Sequence, residues 1–126
     1  MKVLLADDQI KVRSALRLLL EQQADVEILG EAVDSTGVLD WVRVACPDLI
    51  LFDWELPGLQ AMQLVRVVRE ICPGARLVAM SGRPESQTAA LAAGVDVFVS
   101  KGEPPERLLS GIAACQNRSS RTHGLN

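Results

Sequence analysis

No stretch of this 126-residue chain approaches the roughly 20 consecutive apolar residues that a membrane-spanning helix needs, and nothing in it resembles a signal peptide. A cytoplasmic location without membrane association is therefore the expectation. Beyond Arg118 and Arg121 there is no grouping of Lys or Arg, and the net charge is −3, so direct nucleic-acid binding is not supported. Cysteine is sparse. Cys46, Cys72 and Cys115 show no metal-ligand spacing and fall near helix ends or on the last helix, which predicts reduced thiols with structural or incidental roles. The single histidine, His123, lies in a polar stretch from Asn117 to Asn126, which reads as tail rather than ligand. The length fits one domain, expected over residues 1–117, with residues 118–126 a polar, disordered tail or the stub of a linker.

What is present is a set of apolar strands that run into polar chemistry. Asp48-Leu49-Ile50-Leu51-Phe52 is an unbroken run of strand-forming character, terminated by Asp53 and then by Trp54-Glu55-Leu56-Pro57-Gly58. Such a run reads as a strand buried on both faces, the centre of a parallel sheet covered by helices, and Pro57-Gly58 turns the chain. Ligands of such sheets bind outside the carboxyl ends of the strands, where Asp53 would sit. Met1-Lys2-Val3-Leu4-Leu5-Ala6 likewise ends in Asp7-Asp8. Ala75-Arg76-Leu77-Val78-Ala79-Met80 ends in Ser81-Gly82, and Val95-Asp96-Val97-Phe98-Val99-Ser100 in Lys101-Gly102.

If these strands lie parallel, Asp7, Asp8, Asp53, Ser81 and Lys101 converge on one edge of the sheet. Carboxylates held that close repel unless cations compensate. Lys101 supplies one positive charge, and a hard divalent ion such as Mg²⁺ prefers a few carboxylate oxygens while keeping waters and a phosphate oxygen in its shell. Asp53 can then act as a carboxylate nucleophile toward phosphorus, with Ser81 donating a hydrogen bond to the transferred group.

With those residues in that order, the chain resembles a receiver domain of the two-component response regulator family over nearly its whole length. The matching positions are Asp7-Asp8, Asp53 with Pro57 four residues on, Ser81 and Lys101. The resemblance implies a flavodoxin-like α/β fold, a doubly wound five-stranded parallel sheet of strand order 2-1-3-4-5 with helices on both faces. It implies that Asp53 is phosphorylated from a phosphohistidine on a sensor histidine kinase or phosphotransfer protein. Mg²⁺ (or Mn²⁺) would be bound by Asp8 and Asp53 directly, by Asp7 through water and by the Glu55 backbone carbonyl. Lys101 and Ser81 would contact the phosphoryl group, Ser81 acting also as the switch hydroxyl. The run Lys101-Gly102-Glu103-Pro104-Pro105-Glu106-Arg107-Leu108-Leu109 resembles receivers that precede helix-turn-helix output domains, which implies a role in transcriptional regulation, although a stand-alone regulator and an excised receiver would read alike here; the family resemblance as a whole implies homodimerisation on activation.

The rest of the chain agrees with five strand–helix units. Val12, Ala15, Leu16, Leu19 and Leu20 form a helical stripe, and Val26–Ala32 reads as a strand. Asp34-Ser35-Thr36 offers N-caps for a helix through about Ala45, with Val38, Leu39, Val42 and Ala45 on its apolar face and Trp41 as a packing residue. Met62, Val65, Val68 and Ile71 mark a third helix, ending before Pro73-Gly74. A short helix covers residues 89–93 with Gly94 at its C-cap, and the last opens with Pro104-Pro105-Glu106 and buries Leu108, Leu109, Ile112 and Ala113.

Three further positions attract expectations. Phe98, three residues before Lys101, stands where the family usually carries an aromatic switch residue, and a ring without a phenolic hydroxyl must act by packing. Glu55 and Arg83, two residues past Asp53 and Ser81, would overhang the site and gate hydrolysis by contacting each other. Of the alternatives, a Mg²⁺ phosphatase with an aspartyl-phosphate intermediate usually needs a second Asp two residues past the nucleophile, where this chain has Glu55 or, after the first strand, Gln9. A pseudoreceiver, which binds protein without being phosphorylated, typically lacks an acidic residue or the Lys, and all are present here.

Overall fold

The computed structural model describes residues 1–124, with the side chains of residues 117–124 outside the description. Five strands, β1 (Lys2–Ala6), β2 (Glu27–Ala32), β3 (Leu49–Asp53), β4 (Arg76–Ser81) and β5 (Val97–Ser100), alternate with helices α1 (Ile10–Glu21), α2 (Ser35–Val44), α3 (Ala61–Ile71), α4 (Gln87–Ala93) and α5 (Pro105–Gly124). A single 3₁₀ turn over Pro84–Ser86 precedes α4. The strands form one sheet in the order β2-β1-β3-β4-β5, and every neighbouring pair is parallel. The expected doubly wound architecture and strand order are those observed.

Alternation along the central strands divides the core into two layers. Leu4, Ile50, Phe52, Leu77 and Ala79 pack with Val38, Val42, Leu64, Val65 and Val68 of α2 and α3. Their neighbours Val3, Leu5, Leu49, Leu51, Val78 and Met80 pack with Leu16 and Leu20 of α1 and Leu108 and Ile112 of α5. All five residues of β3 are buried, as a strand covered on both faces requires. Met62, expected on the apolar face of α3, is instead 57% exposed; the stripe that meets the sheet is Leu64, Val65 and Val68, and Met62 lies one turn toward the N-terminus, beside an open groove. Ala15 and Ala113 are also exposed, their small side chains standing at the margins of their stripes.

Helix boundaries follow local chemistry. The Asp34 carboxylate accepts from the Gly37 N–H at 2.8 Å and caps α2. Gly94 ends α4 at φ +105°, a left-handed conformation that glycine adopts without a Cβ penalty. Helix α5 begins at Pro105 and extends to Gly124, through positions expected to form the tail; positions 125–126 and the side chain of His123 lie outside the described residues.

The cysteines depart from expectation. Cys46 and Cys72 are joined in a disulfide, whereas Cys115 is buried and not disulfide-bonded. The physical reason is topological. Helices α2 and α3 lie side by side on one face of the sheet, and each runs back against its parallel strand, so the residues just past their C-termini meet although 26 positions separate them. Spacing along the chain carries no sign of that meeting.

On β2, Leu29 is the extra residue where the register with β1 shifts, since Val3 pairs with Ile28 and Leu4 with Gly30. The Trp41 indole lies over Gly30, and a Cβ there would come within 2.2 Å of the ring; the indole N–H donates to the Glu31 carbonyl at 3.2 Å. Gly30→Ala is therefore expected to lower stability in urea titrations by about 2 kcal/mol through overpacking. Adding Trp41→Leu should make the pair less damaging than the sum of the two single changes, and strict additivity would show that the indole is not the obstacle.

Candidate functional site

The parallel sheet brings the carboxyl ends of β1, β3, β4 and β5 together, and with them Asp7, Asp8, Asp53, Ser81 and Lys101. Ligand oxygens of Asp7, Asp8 and Asp53 lie within 4.8 Å of one another. Asp7 and Asp53 are only 2% and 7% exposed, Ser81 is fully buried, and Asp8 faces solvent. Lys101 Nζ sits 2.9 Å from Asp7 Oδ2 and 3.4 Å from Asp53 Oδ2.

Backbone groups hold the carboxylates in place. The Glu55 N–H donates to Asp53 Oδ1 at 3.0 Å and the Gln9 N–H to Asp7 Oδ1 at 2.9 Å, each an acid bonding two residues on, as turn-forming Asp does. The backbone of Asp7 is pinned as well: its N–H donates to the Ala32 carbonyl at 3.1 Å, and its carbonyl accepts from Arg13 Nη1 at 2.7 Å. Arg13 in turn pairs with Glu31 at 2.9 Å. Nothing in the sequence pattern distinguished Arg13 from the other charges of the first helix; its role appears only once α1 is laid beside β2.

Burial tends to lower the Lys101 pKa, but the hydrogen bond to Asp7 and the charge of Asp53 outweigh it and leave the value above lysine's usual 10.5. The group thus stays protonated, and its contribution to stability is complete at all pH values below the ordinary lysine pKa, fading only as pH rises through the raised one.

Ser81 Oγ does not point its proton at Asp53. It donates to the Glu55 carboxylate, with distances of 2.8 Å to Oε1 and 3.0 Å to Oε2, and accepts from the Arg83 N–H at 2.9 Å. Among the described residues no ion pair joins Glu55 to Arg83; the two side chains instead line the shallow groove that also contains Trp54, Met62 and Ala89. Phe98 is already buried, 5% exposed, in the layer beneath α3 and α4.

Three carboxylate-bearing residues compensated by one ammonium group form a donor set that suits a hard divalent cation, all oxygen and partly open to solvent through Asp8. The residues present fit such an ion.

The family model for the response regulator receiver domain matches residues 3–113, and the chain belongs to that family. It is 28% identical over 112 residues to the response regulator UvrY of Escherichia coli, covering 87% of this chain and 51% of that protein. It is 30% identical over 112 residues to the nitrate/nitrite response regulator protein NarL of the same species, covering 87% of this chain and 52% of NarL. The isolated receiver of RcsB from Salmonella enterica, solved in the presence of the phosphomimetic BeF₃⁻, superposes with a TM-score of 0.85 at 25% identity, over 93% of this chain and 88% of that one. The chain spans about half the length of the curated relatives it matches. Among the described residues, no helix is long and apolar enough to cross a membrane.

Removing the lysine charge leaves Asp7 buried beside two other acids. Lys101→Met is expected to lower stability at pH 7 in chelator by about 2 kcal/mol. Asp7→Asn in the same background should recover part of that loss, and added Mg²⁺ should recover more in the single variant than in the double. Urea titrations that show no loss in Lys101→Met would remove the lysine from its place as the balancing charge.

Proposed function

We propose that this domain accepts a phosphoryl group on Asp53 from a phosphohistidine of a sensor histidine kinase or phosphotransfer protein, and so switches a surface that signals onward. The observation that carries the reading is the buried Asp53 carboxylate, aligned by the Glu55 N–H and facing Lys101. One Asp53 oxygen attacks phosphorus, the phosphorus–nitrogen bond to the donor imidazole breaks, and its electron pair returns to the imidazole ring. The Glu55 N–H fixes the Asp53 carboxylate, while Lys101 shares the charge that gathers on the transferring oxygens. Asp8 and Asp53, with Asp7 through water and the Glu55 backbone carbonyl, would hold Mg²⁺ or Mn²⁺, which when bound neutralises further charge on the phosphoryl group.

A hydroxyl has one proton to donate. To bond a phosphoryl oxygen, Ser81 must leave the Glu55 carboxylate, so activation includes breaking that contact. Movement of Ser81 then opens space at the carboxyl end of β4, and Phe98 on the adjacent strand is the ring that repacks into it, biasing the surface of α4, β5 and α5. That surface is where homodimerisation on activation would be governed, and the likeness to the response regulators UvrY and NarL supports a role in transcriptional regulation. Location in the cytoplasm, beside the kinase's phosphohistidine, belongs to the same reading, as does slow loss of the phosphoryl group catalysed by the domain itself.

Intact mass after incubation with Mg²⁺ and acetyl phosphate is expected to show one phosphoryl group, absent in Asp53→Asn. An unmodified wild type would instead mark a pseudoreceiver. Glu55→Ala, by freeing Ser81 from a hydrogen bond of about 1 kcal/mol, should speed phosphorylation about fivefold, and Glu55→Gln should not. The Glu55→Ala, Arg83→Ala double variant should lose its phosphoryl group faster than wild type; equal rates would strip both residues of a gating role. Phe98→Ala should uncouple phosphorylation from dimerisation, read as the sedimentation of phosphorylated and unphosphorylated protein.

A further inference from the structure

The disulfide between Cys46 and Cys72 takes no part in the chemistry at Asp53 and stands at the opposite edge of the sheet, between the ends of α2 and α3 and the starts of β3 and β4. We propose that this pair is a reversible thiol–disulfide site, opened and closed by exchange with a protein dithiol, whose state sets the stability of the α2–α3 layer while leaving the phosphoacceptor site assembled.

Access is asymmetric. Cys46 is exposed, whereas Cys72 is 2% exposed and packs within the α2–α3 layer. An incoming thiolate therefore reaches the Cys46 sulfur and not its partner. The attacking sulfur forms a new bond to Cys46, the Cys46–Cys72 bond breaks, and its electron pair leaves on the Cys72 sulfur, which takes up a proton. The second thiol of the dithiol then attacks the mixed disulfide and releases Cys46 as a thiol. In sum, one protein disulfide and one dithiol become two protein thiols and one disulfide of the partner, and the reverse reaction closes the bond.

The position of the leaving sulfur selects the reagent. Cys72 is the C-cap of α3, its N–H bonded to the Val68 carbonyl at 2.7 Å, and Cys46 lies two residues beyond the last residue of α2. The negative end of a helix dipole disfavours a thiolate there, and burial disfavours it further at Cys72. A poor leaving group makes exchange with a monothiol slow and easily reversed, whereas a dithiol completes the reaction intramolecularly.

The consequence for the fold follows from how α2 is fastened. At the site end, the Ser35 N–H donates to the Pro57 carbonyl at 2.9 Å and the Leu59 N–H to Ser35 Oγ at 2.8 Å. These bonds tie α2 to the loop after Asp53 whether or not the disulfide is closed. The disulfide ties the far end, and it closes a loop that contains the whole of β3 and α3. Reduction frees one end of one layer and relaxes the restraint on the unfolded chain.

The test treats the full chain with mixtures of reduced and oxidised dithiothreitol, separately with a thioredoxin–thioredoxin reductase system, and separately with the monothiol 2-mercaptoethanol, under native conditions. Acid quenching, alkylation in denaturant and intact mass then count the thiols. We expect one alkylation in the oxidised limit and three in the reduced limit, with conversion faster with thioredoxin than with a monothiol at equal thiol concentration. The Tm should fall on the order of 10 °C on reduction. Cys115→Ser should keep the transition, Cys46→Ser and Cys72→Ser should abolish it, and acetyl phosphate should label Asp53 in both redox states. Three alkylations in every buffer, a bond that yields only in denaturant, an unchanged Tm, or loss of labelling on reduction would each overturn the proposal.

Discussion

The arrangement rests on a charge balance at one edge of a parallel sheet. Parallel topology delivers the carboxyl ends of β1, β3 and β5 to the same place, and in this chain they carry Asp7-Asp8, Asp53 and Lys101. Desolvating Asp7 and Asp53 without compensation would cost several kcal/mol. Lys101 meets both, and backbone N–H groups from the following turns meet the remaining oxygens. Everything that positions those turns, from the pinned backbone of Asp7 to the loop joined to Ser35, serves to keep that balance in register. A phosphoryl group on Asp53 would add negative charge to a site where the ammonium of Lys101 is what meets the buried carboxylates, so the proposed chemistry would act directly on the site's electrostatic stability.

Much of this was legible in the sequence because parallel-sheet proteins write their core strands as continuous apolar runs. Leu49–Phe52 and Val3–Ala6 could hardly belong elsewhere, and the polar residues that interrupt them fall at the strand ends by necessity. The caps of α2 and α4 were legible for the same local reason, Asp34 and Gly94 each solving a backbone problem in their own turn. Met62 misled because one apolar residue near a helix start fits a periodic stripe without belonging to the buried face.

What the sequence concealed is tertiary. Cys46 and Cys72 carry no pattern that distinguishes thiols from a disulfide; only the side-by-side placement of α2 and α3 does. Glu55 stood out as a residue overhanging the site, yet its partner is the Ser81 hydroxyl and not Arg83, because the fold brings the buried hydroxyl at the end of β4 within hydrogen-bond distance of its carboxylate. Arg13 was indistinguishable from its charged neighbours until the approach of α1 to β2 placed it between the Asp7 carbonyl and Glu31.

The two tryptophans stand in different working parts of the molecule. Trp54 follows Asp53 directly and packs against Phe52 with ring centres 6.2 Å apart, at the rim of the carboxylate cluster. Trp41 lies over Gly30 on α2, the helix whose far end the disulfide holds. With tyrosine absent from the chain, emission excited at the red edge of the indole band belongs to these two side chains alone, so replacing either one leaves a single optical probe: one senses electrostatics at the sheet's carboxyl edge, the other the seating of a helix.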